Sequence, residues 1–130
     1  MRTESDRRTP RVGIVGPCTS GKSTLIANLR QVQLIELRHI AQEHSYVQTM
    51  WQQITHPDWL VFLDVSYPVS MERKKLNWTE AEYKEQQRRL SHARSHADFY
   101  VNTDELTPEQ VAEKVLAFLK TLDSENPSEA

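Results

Sequence analysis

The chain contains two kinds of apolar segment. Residues 12–15 (VGIV) and 60–63 (LVFL) are short, continuous apolar runs, which are typical of strands buried on both faces of a parallel sheet. Other apolar residues recur at helical spacing, as in Leu25, Ile26 and Leu29. The same spacing returns near the C-terminus, at Val111, Val115, Phe118, Leu119 and Leu122. The pattern therefore predicts buried strands that are followed by amphipathic helices.

These patterns predict strands and helices in alternation. The predicted strands are 11–15, a short one within 34–40, 59–65 and 99–101. The predicted helices are 21–32, 47–54, 68–76, 79–97 and a last helix that begins at 108. Capping boxes at Thr79 (T-x-x-E) and Thr107 (T-x-x-Q) mark the starts of the last two helices. The order predicts an α/β fold, a three-layer α/β/α sandwich with a mostly parallel sheet. One domain is expected over 11–122, between flexible tails at 1–10 and 123–130.

A phosphate-binding motif lies between the first strand and the first helix. Residues 16–23 (GPCTSGKS) match G-x-x-x-x-G-K-[ST], and the chain's three glycines all lie in this strand and loop. Backbone N–H groups of such a loop hold phosphates, Lys22 follows the β- and γ-phosphates, and the Ser23 hydroxyl ligates Mg²⁺. A Gly-rich turn is the alternative, but it leaves Lys22 at a helix start without an anion. The motif predicts a fold of the P-loop NTPase type whose nucleotide-binding residues are Gly16, Pro17, Cys18, Thr19, Ser20, Gly21, Lys22, Ser23 and Thr24.

Composition narrows the class of partner. The 130 residues suit one domain, and sixteen basic and eighteen acidic side chains give a net charge of −2. This balance gives no reason to expect nucleic acid or a membrane as a partner. The chain has no apolar run of membrane-spanning length and no apolar signal segment at its start, so a cytoplasmic protein is expected. A nucleotide and a small-molecule acceptor are the expected partners, and formation of a homodimer is left open.

Two carboxylates compete for the role of site carboxylate, with Asp64 favoured for the metal and Glu43 for the acceptor side. Asp64 ends the apolar run 60–63, a pattern that places a carboxylate near Mg²⁺ in many phosphate-loop enzymes; the alternative is an ordinary aspartate at a strand end. Glu43 lies in the polar segment 38–46, where it contacts Mg²⁺ through water or acts as the base for an acceptor hydroxyl. The alternative for that segment is a solvated loop. We expect a functional role for at least one of Arg38, Gln42, Glu43 and His44.

Positive side chains on the predicted helix 79–97 are candidates for the transfer step. Arg88, Arg89 and Arg94 can stabilise the charge that spreads over a phosphoryl group during transfer, and the alternative is a solvated charged face. His92 and His96 lie one helical turn apart, a metal-ligand spacing, but no Cys accompanies them and a solvated pair is favoured. Trp51 is interpreted as core packing, with an acceptor pocket as the alternative.

Two further segments resemble known kinases. Residues 56–66 (HPDWLVFLDVS) resemble the P-D-strand-L-D-V segment of thymidylate kinases. Residues 97–103 (ADFYVNT) are similar to the late A-D-x-x-x-x-N segment of dephospho-coenzyme A kinases, which borders the adenine site. With the loop, residues 11–122 resemble small phosphate-loop kinases of the nucleoside and nucleotide kinase group. The resemblance implies that Asn102 and Thr103 line a base pocket and that Arg88, Arg89 or Arg94 belongs to a lid.

The chain also departs from that family. Much of the acceptor-binding insertion is missing between Arg30 and Pro57, and the acidic pair or D-R motif is replaced by Gln42-Glu43-His44. The working hypothesis is a Mg²⁺-dependent, ATP-binding kinase-like protein that transfers a γ-phosphoryl group to a small acceptor. The alternative is a non-catalytic nucleotide-binding module with a regulatory or scaffold role. A GTPase switch is less favoured because the chain lacks an N-K-x-D motif.

Overall fold

Four strands and five α-helices make up the described part of the computed structural model, which covers residues 9–30, 35–74 and 79–125. The strands are β1 (Arg11–Val15), β2 (Glu36–His39), β3 (Trp59–Asp64) and β4 (Phe99–Asn102). The helices are α1 (Lys22–Asn28), α2 (Tyr67–Lys74), α3 (Glu80–Arg89), α4 (Ser91–His96) and α5 (Pro108–Glu125). A 3₁₀ turn (Gln42–His44) and a π-helical turn (Trp51–Thr55) lie between β2 and β3.

The four strands form one all-parallel sheet in the order β2-β1-β3-β4. The register pairs Ile14 with Val61 and Leu63 with Val101. The inner strands β1 and β3 are the two continuous apolar runs of the sequence, as expected for strands that are covered on both faces. The prediction of an α/β fold with a parallel sheet is thereby confirmed.

Apolar side chains from the two faces of the sheet belong to two separate clusters, because successive residues of a strand point to opposite sides. One cluster joins Val12, Ile14, Val61 and Leu63 to the apolar faces of α1 and α5. The other joins Val15, Leu60 and Phe62 to Ile40, Trp51, Leu90 and Ala93. Helices therefore cover both sides of β1 and β3, and the carboxyl ends of these strands stay free for loops.

The helix predicted over 79–97 is interrupted. It divides into α3 and α4 at Leu90, which is fully buried and lies in the second cluster. No Pro or Gly signals this break, so tertiary packing of Leu90 and Ala93 decides it. The start of α3 agrees with the prediction, because the Thr79 hydroxyl accepts from the Glu82 N–H (3.1 Å) and the Glu82 carboxylate accepts from the Thr79 N–H (2.8 Å).

The segment between β2 and β3 also differs from its prediction. The helix predicted over 47–54 is reduced to the π-helical turn, and part of the predicted loop forms the 3₁₀ turn. Gln42 accounts for this arrangement. Its buried side chain accepts from the Trp51 N–H (2.8 Å) and donates to the Val47 carbonyl (2.8 Å). A hydrogen-bonded polar side chain thus replaces helical hydrogen bonds in this segment.

Other boundaries of helices and tails differ from the predicted ones by a few residues. Helix α1 ends at Asn28, before the predicted end, and residues 31–34 lie outside the described residues. The predicted end of α2, residues 75–76, also lies outside them. Helix α5 continues to Glu125, three residues into the predicted C-terminal tail. Of the predicted N-terminal tail only residues 9–10 are described, and the Pro10 carbonyl accepts from the Glu36 N–H (2.8 Å). No helix among the described residues combines the length and apolar character needed to cross a bilayer.

Candidate functional site

The candidate site lies where the strands end. Because all four strands are parallel, their carboxyl ends share one edge of the sheet. The predicted phosphate loop follows β1, the 3₁₀ turn with Glu43 follows β2, Asp64 ends β3 and Thr103 follows β4. Residues that are far apart in the sequence therefore meet at this edge.

The backbone of the loop depends on its two glycines. A Cβ atom on Gly16 would lie 2.1 Å from the Leu63 carbonyl oxygen and 2.7 Å from the Ser20 hydroxyl, so no side chain fits there. Gly21 has φ 97°, in the left-handed region that glycine adopts without steric cost, and it directly precedes α1. The chain therefore curls closely over the end of β3, as the motif predicts.

Lys22 folds back into this loop. Its ammonium donates to the carbonyls of Gly16 (2.7 Å) and Pro17 (3.2 Å) and to the carboxylate of Glu43 (2.9 Å). Lys22 is 5% exposed and Glu43 is 3% exposed, so both charges are buried. A buried ion pair is weak ground for stability, because desolvation offsets much of the attraction. The ion pair places two opposite charges against the carbonyls of the loop.

Three buried oxygen atoms around the loop have no hydrogen-bond partner in the described part of the chain. They are the hydroxyls of Thr19 and Ser20 and the Oε1 atom of Glu43. Leaving such a group buried and unpaired costs about 1–3 kcal/mol, and more for a charged group. The loop thus holds hydroxyl and carboxylate atoms that a ligand or a metal ion can engage.

A cavity of about 320 Å³ opens beside the loop. Arg73 of α2 lines it and donates to the Thr19 carbonyl (3.0 Å) and to the hydroxyl (3.0 Å) and carbonyl (2.7 Å) of Thr103. Thr103 is therefore at the cavity wall, where the kinase resemblance puts a base-pocket residue. Asn102 is exposed, does not line this cavity, and accepts from the Asp104 N–H (3.0 Å). Arg73 was not among the site residues predicted from the sequence.

The three candidate arginines have different surroundings. Arg88 is exposed and pairs with Glu85 (3.1 Å), whereas Arg89 pairs with Glu85 (2.8 Å) and also donates to the Glu43 carbonyl (3.4 Å). The Arg89 guanidinium also lies 4.2 Å from the centre of the Tyr46 ring. Of these two neighbours, only Arg89 contacts the 3₁₀ turn that carries Glu43.

Asp64 and Arg94 are partners of each other. Arg94 donates to Asp64 Oδ2 (2.8 Å), which also accepts from the Tyr100 hydroxyl (2.5 Å), and Asp64 Oδ1 accepts from the Val65 N–H (2.9 Å). The Arg94 guanidinium lies over the Phe62 ring at 4.5 Å. Both carboxylate oxygens are therefore engaged, whereas Glu43 keeps one oxygen unpaired. The assignment of Asp64 to Mg²⁺ stays a prediction.

The pKa of Asp64 predicts how this group responds to acid. Burial raises the pKa of Asp64, but hydrogen bonds from Tyr100 and Arg94 lower it more, and the net pKa lies below its ordinary value. The stability that follows is present above the unfolded pKa of about 4 and is lost as the pH falls through the lower folded value. We expect Asp64→Asn to lose stability less steeply than wild type below pH 4, and Tyr100→Phe to lie between them, in urea unfolding series. Equal slopes for all three proteins would contradict the assignment.

Gln86 of α3 supports the loop, although it was not predicted as a site residue. Gln86 is buried, and its side-chain carbonyl accepts from the Cys18 N–H (2.9 Å) while its amide donates to the Cys18 sulfur (3.1 Å). Its position four residues before the buried Leu90 places both on one face of the helix, which was the available clue. Arg38, by contrast, is exposed and pairs with Glu36.

The structure thus brings the loop, Glu43, Arg89 and Thr103 to one edge of the sheet, with the pair of Asp64 and Arg94 also engaged there. It does not bring in Arg88 or the side chain of Asn102. No model of a known protein family matches the chain, and no curated protein sequence matches it significantly.

Proposed function

We propose that the protein binds ATP with Mg²⁺ at residues 16–24 and transfers the γ-phosphoryl group to a small acceptor. The observation that carries this proposal is the buried ammonium of Lys22, held inside a tightly curled loop by two loop carbonyls and Glu43. The phosphates of a bound nucleotide take over the contacts of Lys22 and satisfy the hydroxyls of Thr19 and Ser20.

The three-layer arrangement and the phosphate-loop type of the fold are part of the same proposal. Support comes from the two apolar clusters on opposite faces of the sheet. It also comes from the position of the loop after β1, an inner strand of a parallel sheet, where ligands of such folds bind.

Two residues suit a magnesium ion. Glu43 keeps a buried carboxylate oxygen without a partner, and Ser23 is an exposed hydroxyl in the first turn of α1. Both supply the oxygen ligands that Mg²⁺ prefers. When bound with ATP, the ion neutralises charge on the phosphates. Asp64 is the second candidate, although its contacts to Arg94 and Tyr100 must loosen before it can serve.

The nucleobase and the acceptor occupy separate positions in this proposal. The cavity of about 320 Å³ beside the loop takes the nucleobase, with Thr103 and Arg73 at its wall. The acceptor approaches on the side of Glu43 and Arg89, which contact each other and do not line this cavity. Trp51 is buried in the second apolar cluster and donates to His92 (3.1 Å), which favours packing as its role.

A non-catalytic nucleotide-binding module is the second candidate. All three arginines proposed for the transfer step are held by acidic partners: Arg88 and Arg89 by Glu85, and Arg94 by Asp64. A module that only binds nucleotide needs no arginine free to follow the transferring group. In the kinase proposal, transfer depends on Arg89, because it also donates to the Glu43 carbonyl.

A single-turnover transfer assay separates these functions. Labelled ATP and Mg²⁺ are mixed with excess protein and a panel of nucleosides, nucleotides and sugars, and ATP binding is measured by calorimetry on the same samples. Transfer to one acceptor class supports the kinase. Binding of ATP without transfer to any acceptor supports the module, and absence of purine-nucleotide binding at millimolar concentration contradicts both.

A further inference from the structure

Three potential metal ligands meet at the phosphate loop. The Cys18 sulfur, the His44 Nε2 atom and a Glu43 carboxylate oxygen all lie within 4.8 Å of one another. The sulfur is 3.7 Å from His44 Nε2, and that nitrogen is 3.7 Å from Glu43 Oε2. Cys18 belongs to the loop, and the other two belong to the 3₁₀ turn after β2, so the register of the sheet brings them together.

Glu43 provides an independent sign that this cluster has a ligand. The residue is 3% exposed, and its Oε1 atom has no partner among the described residues, while Oε2 holds Lys22. A buried carboxylate oxygen without a donor is costly. A cation next to Glu43 supplies the missing partner.

The side chain of Gln86 also holds the Cys18 sulfur. The Gln86 amide donates to the Cys18 sulfur at 3.1 Å, and the Gln86 carbonyl fixes the backbone N–H of the same residue at 2.9 Å. Hydrogen bonds of this kind orient ligand atoms before a metal arrives. An N–H donor also suits a thiolate, which is the form of cysteine that binds metals.

We propose that Cys18, Glu43 and His44 form a binding site for Zn²⁺, separate from the magnesium role above. Zinc takes sulfur, nitrogen and oxygen ligands, with a Zn–S distance near 2.3 Å and a Zn–N distance near 2.0 Å. In a tetrahedron these bonds separate sulfur from nitrogen by about 3.5 Å, close to the 3.7 Å between Cys18 and His44. Mg²⁺ is a poor match, because it prefers oxygen ligands.

The charge and the number of the protein ligands are also those of known types of zinc site. A thiolate and a carboxylate offset the two charges of Zn²⁺, so that the cluster together with the Lys22 ammonium on Glu43 carries one net positive charge. The thiol proton of Cys18 leaves to solvent on binding. Three protein ligands leave a fourth position for water, as in open zinc sites. Because Glu43 serves both sites, Zn²⁺ and Mg²⁺–ATP compete; this consequence rests on the proposed function, whereas the zinc site itself does not.

Cobalt binding to the nucleotide-free full-length chain tests the site. Co²⁺ replaces Zn²⁺ in tetrahedral sites, and its bond to a thiolate gives a charge-transfer absorption band. We expect one Co²⁺ per chain with this band, and its loss on addition of Zn²⁺. Cys18→Ser removes the band, and His44→Asn weakens Zn²⁺ binding at least about tenfold. His44 is exposed, so its replacement leaves the fold intact.

Histidines outside the cluster provide the matched controls. His56→Asn keeps an exposed left-handed position that Asn tolerates, and we expect it to bind Zn²⁺ like wild type. His92→Asn disrupts the stacked pair of His92 and His96, whose ring centres are 4.2 Å apart, and we expect no effect. Loss of binding in His92→Asn, unchanged binding in Cys18→Ser and His44→Asn, or no binding by wild type would each overturn the proposal.

The zinc site and the proposed function can fail separately. Calorimetric titration of Mg²⁺–ATP with and without saturating Zn²⁺ is expected to show weaker nucleotide binding in wild type with Zn²⁺ and little effect of Zn²⁺ in His44→Asn. Cobalt binding with the stated variant pattern, but without any nucleotide binding, upholds the zinc site and overturns the proposed function. Nucleotide binding without cobalt binding overturns the zinc site and upholds the nucleotide site of the proposed function.

Discussion

Lys22→Met is expected to weaken binding of Mg²⁺–ATP at least about a hundredfold, or about 2.7 kcal/mol in binding free energy. The reason is the position of the Lys22 ammonium, which is buried in the loop and already bonded to loop carbonyls. It is thus placed to meet the phosphates without much rearrangement. Calorimetry with ATP and Mg²⁺ measures the change directly.

The variant also affects the fold, and the design must separate the two effects. Removing Lys22 leaves Glu43 as a buried charge without its partner, which destabilises a protein by about 3–5 kcal/mol. The double variant Lys22→Met/Glu43→Gln removes both charges and is expected to be more stable than the single variant while binding no better. Lys84→Met changes an exposed lysine of α3 and is the matched control. If Lys22→Met binds ATP like Lys84→Met, the loop is not a nucleotide site.

The same samples allow a measurement of thermal stability. A ligand that binds only the native state stabilises it by about 2.7 kcal/mol when its concentration is one hundred times Kd. Wild type and Lys84→Met should therefore melt at higher temperature with ATP, whereas Lys22→Met should not. Agreement between melting and calorimetry excludes an effect confined to the fold.

The inner part of the fold could be predicted from local sequence. Strands β1 and β3 are continuous apolar runs because both their faces are covered, and no other arrangement suits such runs as well. The capping boxes at Thr79 and Thr107 also formed as predicted, since both partners of each box lie within one turn. Features that depend on neighbours in the chain were therefore accessible from the sequence.

Features that depend on contacts between distant residues could not be predicted from the sequence. The break at Leu90 follows from its packing with Phe62 and Trp51 in the second cluster, and no residue in 79–97 signals it. The π-helical turn follows from the hydrogen bond between Gln42 and Trp51, nine residues apart. Both depend on which elements meet on one face of the sheet, which spacing along the chain does not specify.

The candidate site also combines a feature that local sequence predicts with features that depend on distant contacts. The loop was recognised from eight consecutive residues, but the contact between Glu43 and Lys22 spans 21 positions and depends on β2 lying beside β1. The sequence favoured Asp64 for the metal and Glu43 for the acceptor side. In the structure, Arg94 and Tyr100 both donate to Asp64 Oδ2 and the Val65 N–H donates to Oδ1, whereas Glu43 keeps Oε1 unpaired among the described residues.

Arg89→Ala is expected to lower single-turnover phosphoryl transfer by about 10³-fold while ATP affinity changes only a few-fold. An arginine that meets the transferring group stabilises charge that develops mainly in the transition state, so turnover is lost and binding is largely kept. Arg89 is the candidate because it donates to the Glu43 carbonyl beside the loop (3.4 Å).

Arg88→Ala is the matched control for this prediction. Arg88 precedes Arg89 on α3 and pairs with the same Glu85, but it is turned about 100° around the helix axis and is exposed. Both variants lose an ion pair with Glu85, so an effect on helix stability appears in both, whereas an effect on transfer appears only in Arg89→Ala. Rates measured with saturating ATP and the acceptor found in the panel give the comparison. Equal rates in the two variants would remove Arg89 from the transfer step, and a large loss in Arg88→Ala alone would assign that step to a rearranged helix.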